Sequence, residues 1–366
     1  MLLSLIIYLQ SLKWLVPTFI MLGASPCYMT VWAGWRALTA ILPRRYYRFG
    51  DDILYSSYQR FILFFFENCT GVELFLYGDT DCIVTQQKEN VLYMSNHQCT
   101  VDWLVCDMVA VRQGMLGNLR YILKDGLRYF PIYGFYLAQH DSLYVKRGGK
   151  FNVARANRQL ARLRDDKTLT WLIIFPEGTR FNPELPDVIE KSQMYASDEG
   201  YKPLNHVLTP RYKAVQVSLE QMRSIISAVY DVTIAYSNTQ NEETDERVAS
   251  PGMIEFLSGA SRQIHVHLKR IDIRDVPEDE EELRHWLMDR FQQKEKLLSH
   301  FYSEGSKQFP GYPIKSKLGL TPTLPSLIIW GGLLAVSLAT SKGRTYHWQS
   351  FLGFSVLGCI WMSIRS

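Results

Sequence analysis

The chain has 366 residues, which is enough for one large domain with additional segments. Its formal net charge of +4 is too small to indicate nucleic-acid binding, so no nucleic-acid partner is expected. Hydrophobic residues make up 47% of the chain, an ordinary share, but they are concentrated at its two ends. This distribution predicts a central domain attached to a lipid bilayer.

Two apolar stretches begin the chain, at residues 1–24 and 27–43. Four residues interrupt them: Lys13, Pro17, Pro26 and Arg36. Because a lone charge at bilayer depth is costly, these stretches are expected to form either tilted spans or a shallow hairpin in the membrane interface. A cleaved signal peptide is disfavoured because no basic residue precedes the first stretch. Residues 1–45 are therefore assigned as an N-terminal membrane anchor.

A basic cluster, Arg44, Arg45 and Arg48, follows the second apolar stretch and indicates a position on the cytosolic face. The six cysteines show no disulfide framework, which also suits a reducing, cytosol-facing domain. Residues 61–66 form a hydrophobic patch on a predicted helix at 52–68. The patch is too short to span a bilayer, so it is expected to dip into the bilayer or to line an acyl-chain channel.

The central part of the chain alternates between strand and helix patterns. Six segments have the composition of buried strands, at residues 72–77, 91–95, 143–146, 171–175, 231–236 and 264–270. Helical patterns lie between several of them, notably at 151–166 and 211–228. This order predicts an α/β domain over residues 46–275, with a mixed, largely parallel sheet flanked by helices and a site at the strand ends.

The C-terminal part divides into two segments. Residues 276–318 are charged and helical, with an apolar face at Trp286, Leu287, Phe291, Leu297 and Leu298, and are interpreted as a connector. Residues 319–366 contain two apolar stretches, 324–340 and 347–364, joined by the polar residues 341–346. They predict a hairpin of membrane helices, with a hairpin buried in a soluble domain as the alternative.

The first motif with chemical potential lies at residues 96–102, directly after the predicted strand at 91–95. It places His97 five positions before Asp102, with Thr100 as a predicted N-cap for a helix at 101–111. Residues five apart on one helix lie about 140° apart, so a strand end, a turn and a helix start are needed to bring the pair together. Neutral His97 then accepts a proton while Asp102 fixes its tautomer. The alternative is a core histidine beside a helix-capping aspartate.

The second motif lies at residues 175–180, after the apolar run at 171–175. Pro176 ends that strand, and Gly178 permits a backbone conformation that other residues avoid. Backbone N–H groups of such a turn bind anions, and the fork of Arg180 fits a phosphate. Glu177 is expected to orient Arg180 or to bond a substrate hydroxyl. A surface Glu–Arg pair at a strand exit is the alternative.

The nucleophile of this site is expected to come with the substrate, as a hydroxyl. The chain has no G-x-S-x-G nucleophile elbow, and Gly353-Phe354-Ser355 in the C-terminal segment lacks the final glycine. The sequence also has no His/Cys cluster at metal-ligand spacing, so no metal is expected.

These motifs resemble those of a known family. Residues 96–102 and 175–180 match the first and third signature blocks of the glycerolipid acyltransferases, the 1-acylglycerol-3-phosphate acyltransferase group. Residues 144–147 match the end of the second block, and residues 207–211 match the fourth. The blocks occur in the family's order over about residues 90–215. The longer runs 64–68 and 206–211 resemble the epsilon type of this group.

The resemblance implies transfer of an acyl chain from acyl-CoA to the free hydroxyl of lysophosphatidic acid, giving phosphatidic acid. His97, oriented by Asp102, is then the general base, and the hydroxyl attacks the thioester without an acyl-enzyme. The substrate is assigned to Lys146, Arg147, Glu177, Gly178, Thr179 and Arg180, with Asn96 and Pro210 in support. No cofactor is expected, since acyl-CoA is a co-substrate. The implied location is the endoplasmic reticulum and nuclear envelope, or the mitochondrial outer membrane.

The sequence departs from the family pattern at two positions. Ser142 stands where the second block usually has glycine, and Cys99 stands where the first block usually has serine. A thiol nucleophile at Cys99 is a rival interpretation. Three other functions stay open: transfer to lysophosphatidylglycerol, lysophosphatidylinositol or lysocardiolipin; a non-catalytic lipid-binding role; and a thioesterase that uses water as acceptor.

Overall fold

The protein is described from a computed structural model, which covers residues 12–146, 153–241, 243–244, 246–259, 261–303 and 306–364. The start of the first apolar stretch, residues 1–11, lies outside the described residues, and so does Arg147. Within them, eight strands form one sheet: β1 Glu73–Gly78, β2 Val91–Ser95, β3 Leu119–Lys124, β4 Leu143–Val145, β5 Trp171–Ile174, β6 Ala228–Tyr236, β7 Gln263–Asp272 and β8 Ile314–Ser316.

The strand order across the sheet is β4-β3-β5-β2-β6-β7-β1-β8. The first five of these strands run parallel, β7 is antiparallel to β6, β1 is parallel to β7, and β8 is antiparallel to β1. The predicted mixed, largely parallel sheet is therefore confirmed. Since Met94 pairs with Ile174, the carboxyl ends of β2 and β5 lie side by side at one edge.

Helices cover both faces of this sheet. In chain order they are α1 Leu15–Leu38, α2 Arg44–Leu63, α3 Asp81–Val84, α4 Asp102–Gln113, α5 Tyr133–Gln139, α6 Val153–Asp165, α7 Pro186–Asp198, α8 Lys213–Met222, α9 Met253–Leu257, α10 Glu280–Phe301, α11 Leu324–Ala339 and α12 Ser341–Ile364. Val91 and Tyr93 of β2 pack in the core shared with α2 and α4, while Leu92 and Met94 pack in the core shared with α6, α8 and α10. Both faces are thus buried, which explains why the central strands are continuous apolar runs.

Helix α1 is a single helix, so the predicted interruption near Pro26 is wrong. A proline inside a helix leaves the carbonyl four residues earlier without its N–H donor. Here that carbonyl belongs to Leu22, and the Ser25 hydroxyl donates to it at 2.7 Å. Among the described residues, α1 is the one single helix long and apolar enough to cross a membrane, and the pair α11 and α12 adds a second if it forms one bent span.

The C-terminal helices meet at a sharp bend rather than through a loop. Helices α11 and α12 are bent by 117° at Thr340, and residues 341–346, predicted as a polar connection, form the first turns of α12. The Thr340 hydroxyl accepts a hydrogen bond from the Gly343 N–H, and Arg344 donates to the Leu338 carbonyl, so both helix ends are satisfied locally. Large apolar side chains such as Val336 and Leu357 stay exposed, which contradicts the alternative of a buried soluble hairpin.

Two further predictions change in the structure. The patch at residues 61–66 was expected in the bilayer or along an acyl channel, but Phe61, Phe65 and Phe66 are buried in the protein core. The helix continues from α2 through a π-helical turn, Phe64–Cys69. In residues 276–318, which were interpreted as a connector, α10 packs its apolar face on the sheet. Strand β8 of the same segment joins the sheet beside β1.

Candidate active site

The turn between β2 and α4 brings the first motif together. Strand β2 ends at Ser95 and α4 begins at Asp102, and across the turn the Asp102 Oδ2 lies 2.6 Å from the His97 Nδ1. The predicted N-cap at Thr100 is wrong, because the capping position is Val101 and no side chain caps the helix. The Asp102 carboxylate instead accepts N–H groups that precede the helix, from Gln98 at 2.6 Å and Cys99 at 3.0 Å.

The Asp102 carboxylate is fully buried and saturated with donors. Its second oxygen accepts the Tyr236 hydroxyl at 2.6 Å and the Cys99 thiol at 3.2 Å. Burial alone acts to raise the pKa of Asp102, but the hydrogen bonds from His97, Tyr236 and the Cys99 backbone outweigh it, so the pKa lies below its usual value. The ionised carboxylate only accepts hydrogen bonds. The proton of neutral His97 therefore resides on Nδ1, and Nε2 carries the lone pair.

The backbone of His97 is fixed by the turn after β5. The His97 N–H donates to the Glu177 Oε1 at 2.7 Å, and the His97 carbonyl accepts the Phe181 N–H at 2.8 Å. The other oxygen of Glu177 accepts the Leu208 N–H at 2.9 Å. Glu177 was expected to orient Arg180 or to bond a substrate hydroxyl, but both of its oxygens bind backbone groups. It ties the first, third and fourth motifs into one unit, which makes it a positioning residue.

Glu177 leads to a pH prediction. Burial raises its pKa to about 8, although the Leu208 and His97 backbone bonds oppose this shift. An unfolded chain titrates the same carboxyl at about 4.3, so the folded protein holds an extra proton between these values. The stability that this proton contributes is complete below the unfolded-state pKa and is lost as the pH rises through about 8. The loss amounts to about 1.4 kcal/mol per pH unit at most.

The measurement is thermal unfolding of the detergent-solubilised chain between pH 5 and pH 8. As the pH rises, the unfolding temperature of the wild type should fall more than that of Glu177→Gln. This difference in slope does not depend on how much the amide destabilises the protein at any one pH. Glu190→Gln, which removes an exposed carboxyl on α7, serves as the control and should follow the wild-type slope. Parallel curves for the wild type and Glu177→Gln would contradict the assigned protonation.

The turn after β5 forms one wall of a cleft. Gly178 has φ +68°, the left-handed conformation for which its glycine was singled out. Thr179 and Arg180 face Gln98 and Thr100 across a cavity of about 130 Å³, which the start of α7 and residues 249–252 complete. Arg180 is exposed there. An exposed guanidinium beside the turn that carries His97 is suited to a phosphate group.

The remaining candidate residues occupy the same edge of the sheet. The Asn96 side chain bonds both the N–H and the carbonyl of Ile234, which fixes the end of β2 to β6. Pro210 is buried, and the next N–H donates to the Pro176 carbonyl at 2.8 Å. Lys146 is exposed just beyond β4, two strands from β5 and so about 10 Å away along the edge.

Comparison with known proteins identifies the family. The Acyltransferase family model matches residues 81–237, and the Acyltransferase C-terminus model matches residues 255–330. The 1-acyl-sn-glycerol-3-phosphate acyltransferase epsilon of Mus musculus is 44% identical over 371 residues, covering 100% of both chains. The chain belongs to the 1-acyl-sn-glycerol-3-phosphate acyltransferase family. The resemblance to the epsilon type is thereby confirmed.

Other family members are more distant. A probable 1-acyl-sn-glycerol-3-phosphate acyltransferase 5 of Arabidopsis thaliana is 30% identical over 74% of this chain and 69% of its own. The crystal structure of the 1-acyl-sn-glycerophosphate acyltransferase PlsC from Thermotoga maritima covers 81% of this chain and 100% of its own, with a TM-score of 0.44 and 16% identity.

The structure accommodates both departures from the family motifs. Ser142 is buried, and its hydroxyl accepts the Tyr121 N–H at 3.2 Å, while the positive φ of the turn falls on Asp141, at +61°. Cys99 is 2% exposed and donates its thiol proton to Asp102. Burial and the neighbouring Asp102 raise the pKa of this thiol well above its usual value. A protonated, buried thiol is a poor nucleophile, which contradicts the rival interpretation of Cys99.

One group of side chains in the described part of the chain has the spacing of metal ligands: Asp51, Asp52 and His140. Arg120 occupies the position that a cation would take. Its guanidinium bonds the His140 Nε2 at 2.7 Å and the Asp52 Oδ1 at 2.6 Å, and His140 Nδ1 bonds Asp51 at 2.6 Å. These residues therefore form a hydrogen-bonded structural network around Arg120 and do not fit a metal ion.

Proposed function

We propose that the protein transfers an acyl chain from acyl-CoA to the free hydroxyl of 1-acylglycerol-3-phosphate, giving phosphatidic acid. The observation that supports this most strongly is the 2.6 Å bond between His97 Nδ1 and the buried Asp102 carboxylate, which leaves Nε2 as the basic nitrogen. The Phe181 N–H bonds the His97 carbonyl at 2.8 Å, so the exposed Arg180 is one residue from the turn that carries the pair, in a chain of the acyltransferase family. A base and a phosphate-binding group side by side suit a phosphorylated acceptor with a free hydroxyl.

The reaction proceeds by direct attack. The acceptor oxygen forms a bond to the thioester carbonyl carbon while His97 Nε2 takes the hydroxyl proton. The tetrahedral intermediate then collapses, the C–S bond breaks, and the imidazolium returns the proton to the CoA sulfur. Asp102 stabilises the imidazolium in the low-dielectric interior, where a paired charge counts most. The buried, protonated Cys99 supports a route without an acyl-enzyme. In this scheme acyl-CoA is a co-substrate, and no metal or cofactor takes part.

The acceptor phosphate is held by Arg180, by the backbone turn at Gly178 and Thr179, and by Lys146 and Arg147 from the second motif. The cleft of about 130 Å³ is small beside the roughly 300–1,000 Å³ of pockets that enclose drug-sized ligands. It therefore suits a phosphoglycerol headgroup, with the acyl chains outside it. Holding the headgroup aligns the hydroxyl with His97, and such alignment supplies a large part of a rate enhancement.

Arg180→Ala should mainly weaken the binding of the acceptor, 1-acylglycerol-3-phosphate. Loss of a charge-assisted bond to phosphate should raise the KM for 1-acylglycerol-3-phosphate by about tenfold to a hundredfold, with a smaller change in kcat. The KM for acyl-CoA should change little. Arg274→Ala, which removes an exposed arginine far along the chain at the end of β7, is the matched control. A change confined to the acyl-CoA dependence would contradict the phosphate assignment.

The identity of the acceptor is tested with a panel of lysophospholipids. The purified chain should acylate 1-acylglycerol-3-phosphate in preference to lysophosphatidylglycerol, lysophosphatidylinositol and lysocardiolipin. A different preferred acceptor would retain the mechanism but change the substrate. Release of CoA without any acceptor would indicate a thioesterase, and no reaction of folded protein would indicate a lipid-binding role.

The proposal places the protein in a membrane with its catalytic domain toward the cytosol. Its support is the apolar helix α1, followed directly by Arg44, Arg45 and Arg48. The proposed membranes are the endoplasmic reticulum and nuclear envelope, with the mitochondrial outer membrane as the alternative, and imaging of the tagged full chain decides between them.

A further inference from the structure

A second and larger cavity lies away from the catalytic cleft. Its volume is about 510 Å³, and it is lined by the end of α1, the start of α2, the end of α5, one face of α6, and Trp361 near the end of α12. Five arginines line it: Arg36, Arg44, Arg155, Arg158 and Arg162. We call it the arginine cavity. None of its lining residues belongs to the cleft that contains Thr179 and Arg180.

The arginine cavity carries a large excess of positive charge. Its lining contains one carboxylate, Asp141, which pairs with Arg44 at 2.8 Å. Three of the arginines, Arg155, Arg158 and Arg162, are three and four positions apart on α6 and so share one face of the helix. Like charges at this spacing destabilise a helix unless an anion compensates them. The cavity therefore has the positive charge and the guanidinium donors that suit a phosphate-bearing ligand.

Burial and the nearby Arg128 shift the pKa of one of these arginines, Arg155, in the same direction. Both lower the pKa of Arg155, with Asp125 opposing them. An anion in the cavity would relieve this repulsion, because it favours the charged guanidinium.

Exposed apolar side chains beside the cavity identify the source of that ligand. Leu38, the last residue of α1, and Ile41, just after it, are 73% and 94% exposed. On α2, Tyr46, Phe49 and Ile53 are exposed at positions that share one helix face. An apolar stripe on a helix with basic residues is typical of a helix that lies in a membrane interface. The arginine cavity thus opens among residues suited to the level of lipid headgroups.

We propose that the arginine cavity binds the phosphate-bearing headgroup of an anionic phospholipid, at a site separate from the transfer site. The forked guanidinium groups of Arg158 and Arg162 bond the phosphate oxygens, and the side chains of Leu38 and Ile41 contact the acyl region. This inference depends on attachment to a bilayer and does not depend on the transfer reaction.

The test is hydrogen–deuterium exchange of the full chain in phosphatidylcholine nanodiscs, resolved by peptide. The probe is dihexanoyl phosphatidic acid, with dihexanoyl phosphatidylcholine, inorganic phosphate and CoA as separate arms. The proposal expects the phosphatidic acid probe to slow exchange in peptides covering residues 34–45 and 153–165. In Arg158→Gln/Arg162→Gln, half-maximal protection there should need about tenfold more probe. Both side chains are exposed, so the fold should be retained.

Lys202→Gln/Lys296→Gln removes two exposed charges outside both cavities and should behave as the wild type. Protection at residues 96–104 and 176–182 reports separately on the catalytic cleft, so failure of the proposed reaction and failure of this site are distinguishable. Absence of protection at 153–165, or equal protection in the arginine variant, would overturn the inference. Equal protection of residues 153–165 by inorganic phosphate, or stronger protection by CoA, would also overturn the inference. Either result would show that the cavity binds a soluble anion and not a lipid headgroup.

Discussion

Replacing His97 with alanine is expected to lower the rate of acyl transfer by about a thousandfold or more. General-base catalysis typically contributes about 10²–10⁴-fold, and no other group in the described turn is placed to take the hydroxyl proton. Glu177 and Phe181 fix this turn through hydrogen bonds to the backbone of His97, so the substitution leaves these bonds in place. Transfer of labelled acyl groups from acyl-CoA by the purified variant measures the effect.

The control for this experiment is His300→Ala, which removes an exposed histidine at the end of α10. It should retain wild-type transfer. Both variants should insert into membranes and unfold at nearly the wild-type temperature. If His97→Ala retained more than a tenth of the wild-type rate, the proton acceptor would have to be another group.

Replacing Asp102 with asparagine should have an effect of similar size for a different reason. The asparagine amide carries no charge, so it no longer stabilises the imidazolium that forms on His97, and only one of its two polar atoms accepts hydrogen bonds where both carboxylate oxygens do. Where the NH₂ group faces His97, it also favours the wrong tautomer of the imidazole, with the proton on Nε2. The same change in a Ser-His-Asp triad lowers kcat by about 10⁴, and we expect a fall in kcat of about 10³–10⁴ here.

Tyr236→Phe provides a graded comparison for Asp102→Asn. It removes one donor to the carboxylate, the 2.6 Å bond to Oδ1, and leaves the His97 bond intact. The expected loss in kcat is about tenfold to a hundredfold at most, since a hydrogen bond to a charged group is worth about 1.5–3 kcal/mol and about 1.4 kcal/mol corresponds to a factor of ten. Equal kcat values for Asp102→Asn and the wild type would contradict the role assigned to the carboxylate.

Much of the fold could be predicted from local pattern. Strand β2 lies where the continuous apolar run 91–95 predicted it, because both faces of that strand are buried. Strand β3 was missed since Arg120 interrupts its apolar pattern. Arg120 is nevertheless buried, with partners His140 and Asp52 on other elements, and no local pattern reveals such tertiary compensation. The predicted helix at 211–228 ends early, at Met222, because β6 begins at Ala228.

The site shows the same division between local and distant contacts. His97 and Asp102 lie within one turn, so their spacing, together with the strand predicted before them and the helix predicted after them, was sufficient to indicate that they could meet. Tyr236 was not identified as part of the site because it lies 134 positions from Asp102, and only the pairing of β2 with β6 brings it there. The role of Glu177 was misjudged for a related reason. Its partners Leu208 and His97 are 31 and 80 positions away.

The apolar helices near the two ends of the chain were predicted in position but not in shape. Pro26 and the polar residues 341–346 both read as breaks in the sequence, yet both lie inside helices in the structure. Hydroxyl groups of Ser25 and Thr340 satisfy the affected backbone groups locally. Such side-chain bonds compete with the usual signals for breaks and depend on rotamers that the sequence does not specify.

The most direct test of the account uses the purified chain with acyl-CoA labelled in its acyl group, with and without 1-acylglycerol-3-phosphate. Direct attack by the acceptor predicts labelled phosphatidic acid and one CoA released per product when the acceptor is present, and neither product nor labelled protein when it is absent. Stable label on the protein without acceptor would contradict direct attack assisted by His97. Failure of folded protein to form phosphatidic acid would contradict the proposed function itself.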